Sequence, residues 1–277
     1  MTKTINGIQV PQRADLVGSF LRPADLSDAN RDEYVARLVQ KQKELGYTLL
    51  TDGEFNRTFW HLDFFWGFGG VTHETGGDVA FNGETARLDR VYLKGKLTAQ
   101  PHPFIEAYKR LKQLEDASHI AKLTVPSPAQ FFQQLTIPQN FLGTKAIYPS
   151  TDDLIRDIAA LYQDFIRQFY AVGGRYLQFD DCTWGAVVGD AAAQRYQNLN
   201  CNLDFVKDQL LRVNNLALEG RPADLVVATH LSRQLPFHMV QQRRLRLCCR
   251  LGVRPRECRC ALSRIRRRAL WRLRAVG

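Results

Sequence analysis

The sequence predicts an α/β fold of the (β/α)8 TIM-barrel type, incomplete here, with about five of the eight strands. Short apolar segments alternate with amphipathic helical segments over residues 14–230. Polar residues stand where predicted strands end, which is where such barrels carry functional groups: Ser19, Glu54, Asp180, Asp181 and His230. A doubly wound open sheet is the rival fold. It is disfavoured because no glycine-rich phosphate turn follows the first strand.

The predicted elements follow one another in the order that a barrel requires. We expect strands at 14–20, 47–51, 120–126, 175–179 and 224–230. We expect helices where apolar residues recur at helical spacing, at 28–45, 103–114, 151–172 and 203–218. Gly46 ends the first of these helices. Asp152 and Asp153 suit the dipole at the start of the third.

Two stretches interrupt this alternation. Residues 78–98 alternate polar and apolar side chains around Asn82-Gly83, which predicts a β-hairpin outside the main sheet. Residues 59–70 are dense in Phe and Trp. Core packing is the favoured interpretation of these rings. A substrate-lining wall is the alternative, because ligand pockets are lined by apolar and aromatic groups.

The excess of basic over acidic residues is confined to the last 47 residues, which hold 14 Arg, no Lys and one acid, Glu257. The net charge of +10 therefore becomes −3 for residues 1–230 once this segment's +13 is taken away. The sequence contains no apolar run of about 18 residues, so no membrane span is predicted. It begins without the pattern of a secretory signal. We expect a cytoplasmic protein with reduced thiols.

Several short motifs stand in a recognisable order and spacing: Gly18-Ser19-Phe20, Asp52-Gly53-Glu54, Leu177-Gln178-Phe179-Asp180-Asp181 and Thr229-His230. Residues 58–65 and 121–128 strengthen the pattern. In this combination the chain resembles the cobalamin-independent methionine synthase family. The likeness is greatest to short bacterial members that correspond to the catalytic C-terminal half, and it covers about residues 14–230.

The resemblance implies a zinc-dependent barrel enzyme, a 5-methyltetrahydropteroyltriglutamate–homocysteine S-methyltransferase. Its partners are small molecules, homocysteine and a methylated folate polyglutamate. The family holds Zn²⁺ with a His-x-Cys pair, a Glu and a second Cys, and by this resemblance His230 is the first zinc ligand. Ser19 would hold the substrate carboxylate, and Glu54 and Asp180 its ammonium group. Asp181, beside Asp180, is a further substrate-binding candidate.

The residue types suit this chemistry, because zinc deprotonates a coordinated thiol and two carboxylates can fix an ammonium group. Taken singly, each residue also has a structural interpretation. Ser19 fits a turn, Glu54 a helix cap and His230 a satisfied core histidine. Their convergence on successive strand ends favours the functional interpretation.

The family pattern breaks directly after His230. A hydrophobic residue and then Cys-Arg-Gly-Asn are expected there, but the chain has Leu231-Ser232-Arg233-Gln234. Ser232 occupies the cysteine position, and serine is not a usual zinc ligand. Codon degeneracy permits Ile-Cys-Arg-Gly-Asn-Phe-His-Ser-Thr-Trp from the codons of residues 230–240, read one base out of frame. In the same frame, the codons of residues 264–277 permit the family-like Glu-Tyr-Asp-Asp-Ala-Arg-Ser-Gly-Asp-Phe-Ala-Pro-Leu.

These matches lead to the hypothesis that residues 231–277 are a frameshift product following a partial barrel domain at 1–230. The chain would then lack three of four zinc ligands and the last strands of the barrel, and its activity would be impaired. One alternative is a zinc-dependent thiol methyltransferase with another methyl donor or acceptor. A different class of function is nucleic-acid binding through the arginine-rich tail. That function is disfavoured because phosphate-binding arginines normally decorate a folded surface or a flexible arm.

Overall fold

The computed structural model describes residues 3–231 except 13, 77, 82, 83, 88 and 200. Its strands are β1 (Lys3–Ile5), β2 (Ile8–Val10), β3 (Leu49–Leu50), β4 (Gly69–Glu74), β5 (Asp78–Phe81), β6 (Glu84–Arg87), β7 (Arg90–Thr98), β8 (Ile120–Pro126), β9 (Tyr176–Asp181) and β10 (Val226–Leu231). Its helices are α1 (Arg31–Glu44), α2 (Leu62–Phe65), α3 (Pro103–Lys112), α4 (Pro128–Thr136), α5 (Pro138–Ile147), α6 (Thr151–Ala171), α7 (Thr183–Val187), α8 (Asp190–Asn198) and α9 (Leu203–Ala217). The predicted tail, from Ser232 onward, lies outside the described residues.

The centre of the fold is a parallel four-stranded sheet in the order β10-β9-β8-β3. Its strands are linked through helices, as parallel pairing requires. The predicted parallel α/β arrangement is confirmed. A closed barrel is not found within the described residues, where β3 and β10 form the two edges of the sheet.

Most predicted elements agree with the structure to within a few residues. The strand predicted at 120–126 is β8, and those at 175–179 and 224–230 correspond to β9 and β10. The helices predicted at 28–45, 103–114, 151–172 and 203–218 are α1, α3, α6 and α9. The predicted hairpin is also confirmed: β5 pairs antiparallel with β6, and β4 pairs antiparallel with β7.

The first predicted strand, 14–20, is not a strand in the structure. Its carbonyl groups are bound by side chains of the central sheet and of the turn after β3. Lys122 Nζ donates to Leu16, Gln178 Nε2 to Val17 at 2.7 Å, and Thr51 Oγ1 to Gly18 at 3.1 Å. These contacts replace the ladder of hydrogen bonds that a paired strand would make.

The aromatic segment after β3 forms core, as the favoured interpretation predicted. Phe64 and Phe65 are completely buried and Phe68 is nearly so. The Phe64 ring packs edge-on against Phe68 and Phe165, with centroids 5.2 and 4.9 Å apart. This packing fixes the α2 region against α6 and thereby supports the loop that follows β3. No helix of the described part is long and apolar enough to cross a membrane.

Candidate functional site

The carboxyl ends of the parallel strands bring the polar residues together. Glu54 lies in the turn after β3, Asp180 lies on β9, and His230 on β10 is the Cα partner of Asp180 in the parallel register. The backbone N–H of Ser127, which follows β8, donates to the Asp180 carbonyl at 2.9 Å. The carboxyl ends of β8, β9 and β10 are thus held next to one another.

A strained turn presents Glu54. Gly53 and Glu54 both have left-handed backbones, with φ of 71° and 62°. A Cβ on Gly53 would lie 2.5 Å from Leu38 Cδ2, so any other residue there would have to displace the Leu38 side chain. The Asp52 carboxylate accepts the Glu54 N–H at 2.9 Å and holds the turn. A left-handed glutamate is uncommon, and such strain clusters at functional sites.

Glu54 and Asp180 are two buried carboxyl groups within electrostatic reach of each other. Each is 5% exposed. Burial raises the pKa of Asp180 to about 7, and the Glu54 carboxylate adds to the rise. Burial likewise raises the pKa of Glu54, against the opposing charge of Arg57. Paired buried acids of this kind are suited to receive a cationic group that neutralises them.

Arg57 is a functional candidate that the sequence patterns did not single out. Its guanidinium is buried, and its Nη2 donates to the carbonyl and the hydroxyl of Thr124, each at 3.0 Å. Its charge lowers the pKa of both Glu54 and Asp180. Nothing in the spacing around residue 57 distinguishes this arginine from a surface one.

Asp181 points away from Glu54, because successive strand residues face opposite sides of a sheet. Its carboxylate accepts hydrogen bonds from Thr183, Trp184 and Asn214, the last at 2.9 Å. These donors bind Asp181 to α7 and α9, outside the sheet. A cavity of about 560 Å³ lies on this outer side, lined in part by Asp181, Leu211 and Val227.

The segment that carries Ser19 runs alongside the turn that carries Glu54. The next residue, Phe20, donates its N–H to the Gly53 carbonyl at 3.1 Å. A Cβ on Gly18 would lie 2.8 Å from Thr124 Cγ2, so the segment crosses the end of β8 at close range. Ser19 itself is exposed.

His230 is half-buried, and burial lowers its pKa, with the charge of Lys122 as a second cause. A neutral imidazole is the form that binds metals. Within the described ranges, however, no group of three His, Cys, Asp or Glu side chains could hold a metal ion. The predicted cysteine position, Ser232, lies beyond them.

Buried Lys122 and Gln178 also support the site and were not predicted. Lys122 lies in the mostly apolar strand β8 and is 1% exposed, while Gln178 on β9 is 4% exposed. A lysine in the middle of an apolar strand was the signal that could have found this pair, because lysine is almost never buried without a partner.

Comparison with known proteins supports the family resemblance at a distant level. No family model matches the chain. Two Bacillus subtilis proteins, YxjH and YxjG, are described as uncharacterized and are each 30% identical to it over 251 and 254 residues. Each match covers 83% of this chain. The chain spans 64% of the length of these curated relatives.

Two solved structures with a similar fold are named as B12-independent methionine synthases. One is a Listeria monocytogenes protein provisionally named a vitamin-B12-independent methionine synthase. It is 28% identical, with a TM-score of 0.62, over 81% of this chain and 66% of that one. The chain resembles this family in fold and distantly in sequence. A Shewanella B12-independent methionine synthase, solved with selenomethionine, shares the fold at 18% identity and a TM-score of 0.54, over 77% of this chain and 59% of that one.

Proposed function

We propose that this chain derives from a methyltransferase that moves a methyl group from a methyl-tetrahydrofolate polyglutamate to the thiol of homocysteine, giving methionine. The observation that carries the proposal is the pair of buried carboxyls, Glu54 and Asp180, at the carboxyl end of the sheet, where the segment that carries the exposed Ser19 also lies. The likeness to the Listeria structure supports the same reaction class. The completed fold would be a (β/α)8 barrel.

The proposed acceptor is held by its amino-acid head. Glu54 and Asp180 would take the ammonium group, whose charge offsets the cost of burying two ionised carboxylates. The Ser19 hydroxyl would donate a hydrogen bond to the carboxylate of the bound amino acid. Asp181, whose carboxylate is bonded to α7 and α9, would serve the site only by fixing the end of β9.

The described residues do not fit a zinc ion. Zinc in proteins is held by about four ligands. His230 is the only expected ligand within the described residues, and Ser232 replaces the next one in the sequence. We therefore propose that this chain keeps the amino-acid site but lacks the metal site, and that methyl transfer by it is impaired.

The impairment is proposed to arise from a shifted reading frame after about residue 230. The support is the arginine-rich composition of residues 231–277 and the two family-like segments hidden in one alternative frame. The methyl donor and the thiol acceptor are less constrained than the reaction class, so a different donor or thiol is the second candidate.

Resequencing the gene from codon 225 onward, followed by assay of the corrected protein, tests the proposal. We expect two bases to reappear, zinc to bind at one per chain by elemental analysis, and radiolabelled methyl to pass from methyl-tetrahydrofolate triglutamate to homocysteine. The chain as given is the matched control and should transfer none. A corrected protein that binds zinc but transfers methyl to neither homocysteine nor another small thiol would overturn the assignment.

A further inference from the structure

The side chain of Lys122 is completely buried in the middle of strand β8. Its ammonium group donates to Asp15 Oδ1 at 2.7 Å, to Gln178 Oε1 at 2.9 Å and to the Leu16 carbonyl. An ammonium group has three hydrogens, so all of them are used. Asp15, 18% exposed, is the carboxylate that compensates the charge.

The hydrogen bond from Lys122 fixes the orientation of the Gln178 side-chain amide. A lysine ammonium can only donate, so the amide oxygen of Gln178 must face it. The NH₂ group is then directed to the opposite side, where it donates to Asp180 Oδ1 at 2.6 Å and to the Val17 carbonyl at 2.7 Å. The orientation of this amide therefore follows from its hydrogen-bond partners.

The same lysine anchors the segment that carries Ser19. Asp15 and Leu16 are bound by Lys122 directly, and Val17 is bound through Gln178. This segment has no strand pairing, so these side-chain contacts fix its path across the end of β8. The Lys122 ammonium group is thus linked both to Asp180, through Gln178, and to the segment that carries Ser19.

We propose that Lys122 is the positioning residue of this site, acting through Gln178 on Asp180 and through Asp15 on the segment that carries Ser19. The inference rests on the proposed function, since it names what holds the groups that would bind the amino-acid head. An apolar residue would fill β8 at lower desolvation cost. Unlike an apolar residue, the lysine donates three directed hydrogen bonds. They end on Gln178 and on Asp15 and Leu16 of the segment that carries Ser19.

The test is selectivity for the ammonium group in the full chain. Ligand-detected NMR would give the affinities for L-methionine and for its des-amino analogue at one fixed pH. For Lys122→Met and Gln178→Met we expect the methionine affinity to fall about tenfold or more. The ratio of methionine to des-amino affinity should fall with it, because Asp180 loses its fixed orientation. Gln178→Met introduces no new charge and leaves the Lys122–Asp15 pair in place.

Lys112→Met is the matched control, since Lys112 pairs with Glu115 away from this edge. It should leave both affinities unchanged. If Gln178→Met folds and keeps the wild-type ratio, the proposal is wrong, whatever happens to Lys122→Met. A residue with a purely structural role would lower the thermal midpoint without changing that ratio. If the wild-type chain binds neither compound, the proposed amino-acid site itself fails, which is a distinguishable result.

Discussion

Asp180 on β9 and His230 on β10 are partners in the parallel register, and both lie on the face of the sheet opposite the outer cavity. Thr229 and Leu231 line that cavity, so alternation along β10 turns His230 to the other side. Asp180 shares this side with Gln178, to which it is hydrogen-bonded. The inner face of the sheet is therefore polar at its carboxyl end.

Asp180→Asn should stabilise the protein at alkaline pH and reduce its affinity for an amino acid. The folded-state pKa is raised from 3.8 to about 7. As pH rises through this window the unfolded chain loses its proton first, so the free energy of unfolding falls. Asparagine removes this loss, for a gain of up to about 4 kcal/mol above pH 7 and none at pH 4. Urea unfolding at pH 4 and pH 8 measures the difference.

Glu106→Gln is the control for this experiment, because Glu106 is an exposed residue paired with Lys109. Its stability relative to wild type should change little between the two pH values. An Asp180→Asn variant that is equally destabilised at pH 4 and pH 8 would show that the carboxyl group is not penalised by burial.

Gly53→Ala should destabilise the protein more than Gly46→Ala. Both glycines have positive φ, 71° and 80°, so both substitutions carry the left-handed strain of about 1–2 kcal/mol. Only at Gly53 would the new Cβ meet another atom, Leu38 Cδ2 at 2.5 Å, whereas Gly46 has open space. Overpacking adds about 1–3 kcal/mol. Equal losses in denaturant unfolding would contradict the crowding at this turn.

The sequence was sufficient for the elements whose signals are local. The strands at β8, β9 and β10 follow from apolar runs ended by polar residues, and the large helices from their periodicity. The segment 14–20 has the same apolar pattern but no partner strand among the described residues. Pairing is a tertiary property, and local composition does not report it.

The strand-end residues of the candidate site could be named from the sequence, whereas the residues that hold them in place could not. Glu54 and Asp180 stand just after the strands predicted at 47–51 and 175–179, so position alone identified them as candidates. Arg57 reaches Thr124 across 67 residues of chain, and Lys122 reaches Asp15 across 107. Such contacts depend on how the strand ends meet. Asp181 shared the sequence signal of Asp180, but the alternation of a strand gives the two residues opposite faces.

His102→Asn should make the free energy of unfolding less dependent on pH between pH 7 and pH 4. Burial lowers the pKa of His102 to about 4, below its usual 6.5. As pH falls between these values the unfolded chain takes up the proton first, so wild type loses about 3 kcal/mol of unfolding free energy. Asparagine can still cap α3, as His102 does by accepting the Phe104 N–H, but it has no proton to gain. Guanidine unfolding between pH 7 and pH 4 gives the slope.

Asn202→Ala controls for the loss of a cap without the loss of a titrating group. Asn202 caps α9 by accepting the N–H groups of Asp204 and Phe205. Its removal should cost about 1 kcal/mol at every pH and leave the acid slope as in wild type. A His102→Asn slope that equals the wild-type slope would mean that His102 titrates normally in the folded protein.

Zinc bound by this chain should not depend on His230. Zinc needs about four ligands, and the described residues offer His230 without a cluster around it. Any zinc that purifies with the chain should therefore be bound by the four cysteines of residues 231–277, which are Cys248, Cys249, Cys258 and Cys260. Replacing these four with serine should remove it, and His230→Ala should leave the zinc-to-protein ratio unchanged by elemental analysis. A loss of zinc in His230→Ala would instead show that this chain retains the ancestral metal site.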